Sequence, residues 1–292
     1  MADDNPPPKR PCVRKVGRTE AVIWDSALSY YIVVDVQPND DAWITIRAHS
    51  ADCDGNCGGT CDGSCGGSDI GGYVGFTNNF KDGKRTDVLG KHIVPLESGG
   101  GDDDDGAILV RLQHGQKREP YCLTWAATHL GVITPSRMLR PSPENPNFQP
   151  GDSNRFHVTT DGEIMGSAVV EAKSPTSERS YNYLRRHISE NYLAQVHAQM
   201  AVLGYPTAYL VVCWFGDDLE TEPTKAVLYE IPWCQEFWNW IYPKACDMLS
   251  HIRNARRARQ NGEEYVIPDD FDWPWGDDMY PKVPYKIVKE KK

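Results

Sequence analysis

The stretch DGEIMGSAVVEAKSP, from Asp161 to Pro175, places Glu171 and Lys173 at the end of an apolar run that follows an Asp-Gly pair. With the preceding RFHVTT, Arg155 to Thr160, it alternates as a β-hairpin whose turn lies near GEIMGS, Gly162 to Ser167. Along a strand, residues two apart face the same way, so Glu171 and Lys173 point together and Ala172 points away. The hairpin partner strand brings Asp161 beside them. Two carboxylates at that separation repel unless a cation lies between them, and hard oxygen donors suit Mg²⁺ or Mn²⁺. An adjacent ammonium stabilises charge developing on a phosphate. From the E-x-K triplet alone, a surface ion pair with Asp161 capping the turn is the plainer reading.

Three ordered motifs change that balance. The first is TTDGEI, Thr159 to Ile164, followed by VVEAKSP, Val169 to Pro175. The second is HGQKRE, His114 to Glu119, and the third is YLAQVHAQMAVLG, Tyr192 to Gly204. Together they resemble the PD-(D/E)xK nucleases, most closely the lambda exonuclease and YqaJ-type viral recombinase family, over roughly residues 108–245. In that family an Asp-Gly segment precedes a strand ending E-x-K-(C/S)-P. An upstream helix carries G-x-x-x-E, here Gly115 and Glu119. A later helix carries Y-x-x-Q-x-x-x-Q-M, here Tyr192, Gln195, Gln199 and Met200.

The resemblance implies an α/β (α+β) fold with a restriction-endonuclease-like core, a mixed central sheet flanked by helices, and a β-rich N-terminal extension. It implies metal ligation by Asp161, Glu171, the Ala172 carbonyl and Glu119. Lys173 would orient the attacking water, Gln195 the water or the scissile phosphate, and Tyr192 would line the same face. Gln195 and Gln199 lie i,i+4 on one helix face, so both can face the site, although Gln199 reads equally as a solvated position; His197 lies on another face and reads as an ordinary packed or exposed histidine. The family's usual early motif for a 5′ phosphate has no counterpart in the first hundred residues, and LGVITPS, Leu130 to Ser136, merely echoes its wording after Glu119. Asp152 is a further, weakly placed candidate ligand.

Outward from the hairpin, the chain divides by composition. Residues 1–20 read as a basic, disordered tail, with PPPKRPCVRK, Pro6 to Lys15, as an import signal or basic arm. Residues 21–105 form a β-rich section holding a Gly/Cys-rich loop and most of the acidic linker ESGGGDDDDGA, Glu97 to Ala107, which marks the boundary. Residues 106–262 hold the nuclease-like core, with the element order αβββαββα, and 263–292 an aromatic and acidic arm that packs on the core or on a neighbouring subunit.

The formal net charge is −10, but it is uneven. Residues 1–105 carry 18 acids and 10 bases, a net of −8, whereas residues 106–262 carry 15 acids and 16 bases, a net of +1. A local basic face for nucleic acid is therefore compatible with an acidic chain. Arg185 and Arg186 lie beside tyrosines, and Arg253, Arg256, Arg257 and Arg259 gather near a helix end, where they serve DNA phosphates, an acidic neighbouring subunit or the helix C-terminus.

Nine cysteines without a secretory signal imply a reducing compartment, the cytoplasm or a host nucleus. Cys53, Cys57, Cys61 and Cys65 recur every four residues. Four thiolates close a tetrahedral Zn²⁺ site, but zinc sites favour C-x₂-C pairs, so a reduced glycine-rich loop is the better reading. No apolar run approaches the ~18 residues of a membrane span.

The expected activity is a Mg²⁺- or Mn²⁺-dependent DNA exonuclease, 5′→3′ on duplex, in viral or phage-type recombination or replication. The expected partners are DNA, further copies of the chain and a single-strand annealing protein. The alternatives are an endonuclease on the same core, or a non-catalytic DNA-binding or assembly protein.

Overall fold

The computed structural model describes residues 12–16, 19–23, 30–33, 64–76, 85, 88–89, 105–152, 155–216, 221–268, 271 and 280–292. Short strands β1 (Cys12–Val16), β2 (Thr19–Ile23), β3 (Tyr30–Val33) and β4 (Cys65–Gly66) come first, with a single turn of helix, α1 (Ile70–Tyr73). The core then runs α2 (Asp105–Leu130), β5 (Thr134–Pro141), β6 (Phe156–Ile164), β7 (Ala168–Lys173), α3 (Glu178–Leu184), α4 (Glu190–Leu203), β8 (Thr207–Trp214), β9 (Lys225–Pro232), α5 (Gln235–Gln260) and β10 (Lys286–Lys291). This is the mixed sheet flanked by helices that the sequence implies.

The strands lie in the order β1-β2-β3-β5-β6-β7-β8-β9-β10, and β4 pairs with β6 off that path. β5, β6 and β7 form an antiparallel meander, β7 pairs in parallel with β8, and β9 and β10 return antiparallel. Parallel neighbours need a long crossover, and here α3 and α4 supply it between β7 and β8.

Local chemistry ends the elements where the site needs them to end. Gly131 and Gly204 close α2 and α4 with φ of 90° and 70°, a left-handed conformation that strains most residues with a Cβ and that glycine adopts freely. The hairpin turns at Gly166, φ 74°, whose N–H donates to Tyr205 Oη at 2.9 Å. Pro120 sits inside α2, so the carbonyl of Gln116 loses its helical donor in the turn that carries Glu119.

Both faces of the sheet are covered, which is why β7 and β8 read as nearly unbroken apolar runs. Val169, Leu210 and Val212 pack with Val196 and Met200 of α4 and Phe237 and Ile241 of α5. Val170, Val211, Cys213 and Leu228 pack on the other side with Cys122 and Ala126 of α2. Truncating a side chain as buried as Leu210 to alanine costs about 2–5 kcal/mol. β7 therefore alternates between two cores until its last residues, and Glu171 and Lys173 continue the face of Val169.

Candidate active site

The β6–β7 ladder pairs Ile164 with Ala168, Glu163 with Val169 and Gly162 with Val170, and there it ends. The amide of Ala172 donates to Asp161 Oδ2 at 2.8 Å instead of to the β6 backbone. β7 meanwhile stays paired with β8 through Lys173 and Val212. Asp161 thus replaces one rung of the ladder and stands beside Glu171 where the hairpin opens.

Glu171 is 1% exposed, and burying a lone carboxylate is prohibitive without donors. Three donors meet it. Its Oε1 accepts from Lys173 Nζ at 2.5 Å and from Gln195 Nε2 at 2.7 Å, and its Oε2 accepts from Gln199 Nε2 at 2.7 Å. Lys173 Nζ donates also to Gln195 Oε1 at 3.3 Å, which closes a triangle, and lies 4.9 Å from the ring centre of Tyr192. The two glutamines expected on one face of α4 both reach the strand.

Electrostatics tie Glu119 and Asp161 to the same place. Burial, and then the Glu171 charge, raises Asp161 well above the usual carboxylate range. Glu119 adds to that rise, while Lys173 and the Ala172 N–H oppose it. Glu119 is raised by burial and by Glu171, with Lys173 opposing. Burial works against the Lys173 ammonium, but Glu171, Asp161 and Tyr192 outweigh it and hold Lys173 above its ordinary value. Among the described residues, three carboxylates on α2, β6 and β7 therefore share one field with the firmly charged Lys173.

The donor set suits a hard divalent cation, being carboxylate oxygens whose mutual repulsion such an ion removes. Among the described residues no three acidic, histidine or cysteine side chains are gathered as a cage, so the close acidic pair is Asp161 with Glu171.

The remaining candidates are dispersed. Arg185 Nε is ion-paired with Glu290 of β10, so that arginine pins the C-terminal strand to the core. Arg186 is exposed, as are Arg257 and Arg259 near the end of α5, where Arg253 and Arg256 are half-buried. Asp152 accepts from Tyr242 Oη at 2.8 Å and faces Arg155 and Cys246, which commits it elsewhere. Cys53, Cys57 and Cys61 lie outside the described residues, and Cys65 is buried on β4, its Sγ donating to the Gly66 carbonyl at 3.6 Å. His197 is the packed histidine expected. Its Nδ1 is 2.7 Å from the Leu193 carbonyl and its Nε2 accepts from the Cys234 amide at 3.3 Å.

No protein-family model and no curated protein matches the chain. Among solved structures it is similar to an alkaline exonuclease, LHK-Exo, from Laribacter hongkongensis, with 13% identity and a TM-score of 0.51 over 68% of this chain and 92% of that one. It is similar to LHK-Exo in complex with dAMP as well, with 14% identity and a TM-score of 0.51 over 68% of this chain and 93% of that one. The chain thus has the fold of an alkaline exonuclease, in agreement with the motifs of its sequence. No described helix is long and apolar enough to cross a membrane.

Proposed function

We propose that the chain is a metal-dependent deoxyribonuclease that digests double-stranded DNA from an end, in the 5′→3′ direction, in viral or phage-type recombination or replication. One observation carries this reading: Lys173 Nζ is fixed 2.5 Å from the buried Glu171, beside Asp161, where the hairpin opens. The fold shared with an alkaline exonuclease supports it, and so does the dAMP complex of that neighbour, since a deoxynucleoside monophosphate is what an exonuclease releases from DNA.

Asp161, Glu171 and the Ala172 carbonyl would hold Mg²⁺ or Mn²⁺, with Glu119 reaching it from α2 through water. Such an ion, when bound, supplies Lewis-acid stabilisation and a more acidic water. Lys173 keeps a full positive charge beside the acids and places it where charge grows on the phosphate oxygens. Gln195 holds Lys173 and Glu171 to one another and fixes the geometry of both. Arg186, Arg257 and Arg259 offer exposed guanidinium groups for backbone phosphates, with Arg253 and Arg256 behind them. Self-association and a single-strand annealing partner belong to the same reading.

The test is incubation with Mg²⁺ and end-labelled linear duplex in parallel with closed circular duplex. Mononucleotides from the linear DNA alone support the exonuclease. Nicked circles would make it an endonuclease, and intact DNA of both forms would make it a binding protein.

A further inference from the structure

Gln199 takes no part in the chemistry described above, yet its surroundings are specific. Its side chain is completely buried, one helical turn beyond Gln195 on α4. Its Nε2 donates twice, to Glu171 Oε2 at 2.7 Å and to the Thr159 carbonyl of β6 at 3.1 Å. Two acceptors on that side fix the amide orientation, because the reverse would set Oε1 against both of them. Among the described residues, Oε1 is consequently buried without a partner.

An unsatisfied buried oxygen is destabilising. A methionine or leucine would fill the same space without that cost, so packing does not account for a glutamine here. The space behind it is closed as well: a Cβ at Gly67 would lie 3.0 Å from Val158 Cγ1 and 3.8 Å from Gln199 Cγ. Glu171 in turn divides its oxygens among the described residues, Oε1 toward Lys173 and Gln195 and Oε2 toward Gln199.

We propose that Gln199 is a positioning residue, which clamps Glu171 Oε2 to the β6 backbone so that Oε1 faces Lys173 and the acidic pair with Asp161. The proposal rests on reading Asp161 and Glu171 as the divalent-cation centre of a nuclease. Gln199 touches none of the reacting atoms, and it acts through Glu171.

The variant Gln199→Met keeps the volume and removes the donor. Its crystal structure without metal, compared with that of the wild type, reads the rotation of the Glu171 carboxylate directly. Mn²⁺ binding to the DNA-free protein, followed by electron paramagnetic resonance, reads the consequence. The expected result is a Glu171 turned away from Thr159, a lost Lys173 contact, and Mn²⁺ affinity weaker by roughly 10- to 100-fold. The KM for DNA at saturating Mn²⁺ stays within about twofold, since phosphate contacts lie elsewhere.

A Glu171 that keeps its orientation, with unchanged Mn²⁺ affinity, overturns the proposal. If Gln199→Met does not fold, Gln199→Leu removes the donor in the same way, and the same two readouts apply. A wild-type protein that takes up no Mn²⁺ overturns the nuclease reading, and the carboxylate orientation in the variant then decides on Gln199 by itself.

Discussion

Asp161 Oδ2 accepts the amide hydrogen of Ala172 at 2.8 Å, just past the last paired rung of the β6–β7 hairpin. One side chain thereby ends the strand pairing and supplies the carboxylate that faces Glu171. Stability and chemistry meet in this contact, and they pull in opposite directions.

The variant Asp161→Asn separates the two. It keeps an oxygen for the Ala172 N–H and removes a charge that burial, Glu171 and Glu119 all disfavour. A carboxyl whose pKa is raised on folding contributes stability at low pH and loses it as pH rises through the folded value. At pH 7.5 without divalent ions, the variant should therefore unfold at a higher urea midpoint than the wild type. Its DNA cleavage in Mg²⁺ should drop by roughly 10²–10³-fold or more. A lower urea midpoint would mean that the neighbouring acids do not strain Asp161.

Replacing Lys173 by methionine removes the cation that the described residues place among Glu119, Asp161 and Glu171, while keeping most of its stem. Since Lys173 is engaged by Glu171 and Gln195, it contributes little to holding DNA. Single-turnover cleavage is expected to slow by about 10²–10³-fold, with duplex affinity, measured by anisotropy in Ca²⁺, within about threefold of wild type. Equal losses in rate and affinity would place Lys173 in substrate binding instead.

The buried His197 makes stability depend on pH. Burial lowers its pKa to about 4, against an ordinary value of 6.5, with the Leu193 carbonyl opposing. The folded state holds the neutral ring, so the stabilisation is complete above pH 6.5 and is lost as pH falls toward 4. Between pH 7.5 and 5 this amounts to about 2 kcal/mol. The variant His197→Gln, compared with wild type by urea denaturation at both pH values, should show a correspondingly flatter dependence. A slope identical to wild type would show that His197 titrates alike in the folded and unfolded chain.

Arg185 and Arg186 are neighbours in sequence with different occupations. Arg186 is exposed, and Arg185 is ion-paired with Glu290. In a plot of log affinity for duplex against log salt, Arg186→Ala should reduce the slope by about 1. Arg185→Ala should leave that slope unchanged and cost the fold ~0–1 kcal/mol, as a part-exposed pair does. The reverse pattern would assign the phosphate contact to Arg185.

Much of this site could be read before any coordinates. The two-residue period of VVEAK, Val169 to Lys173, sets Glu171 and Lys173 on one face, and the i,i+4 spacing puts Gln195 and Gln199 on one helix face, although only the structure decides that Gln199 meets Glu171 instead of solvent. Those are local periodicities, which a strand or helix transmits directly into space. The clamp on Thr159 was not legible, because it needs the register of β6 against α4, a relation between distant segments. Strand β10 was also missed. Lys286, Lys289 and Lys291 give it the composition of a solvated tail, and only the open edge of β9, with Glu230 and Glu222 as partners, makes it a strand. Lysine on an edge strand also discourages further pairing.

The most direct measurement is diffraction at the manganese absorption edge from crystals soaked in Mn²⁺. The account predicts an anomalous peak within coordination distance of both the Asp161 and Glu171 carboxylates, and loss of that peak in the Glu171→Gln variant. Robust cleavage in Mn²⁺ with the bound ion located away from this pair would contradict it.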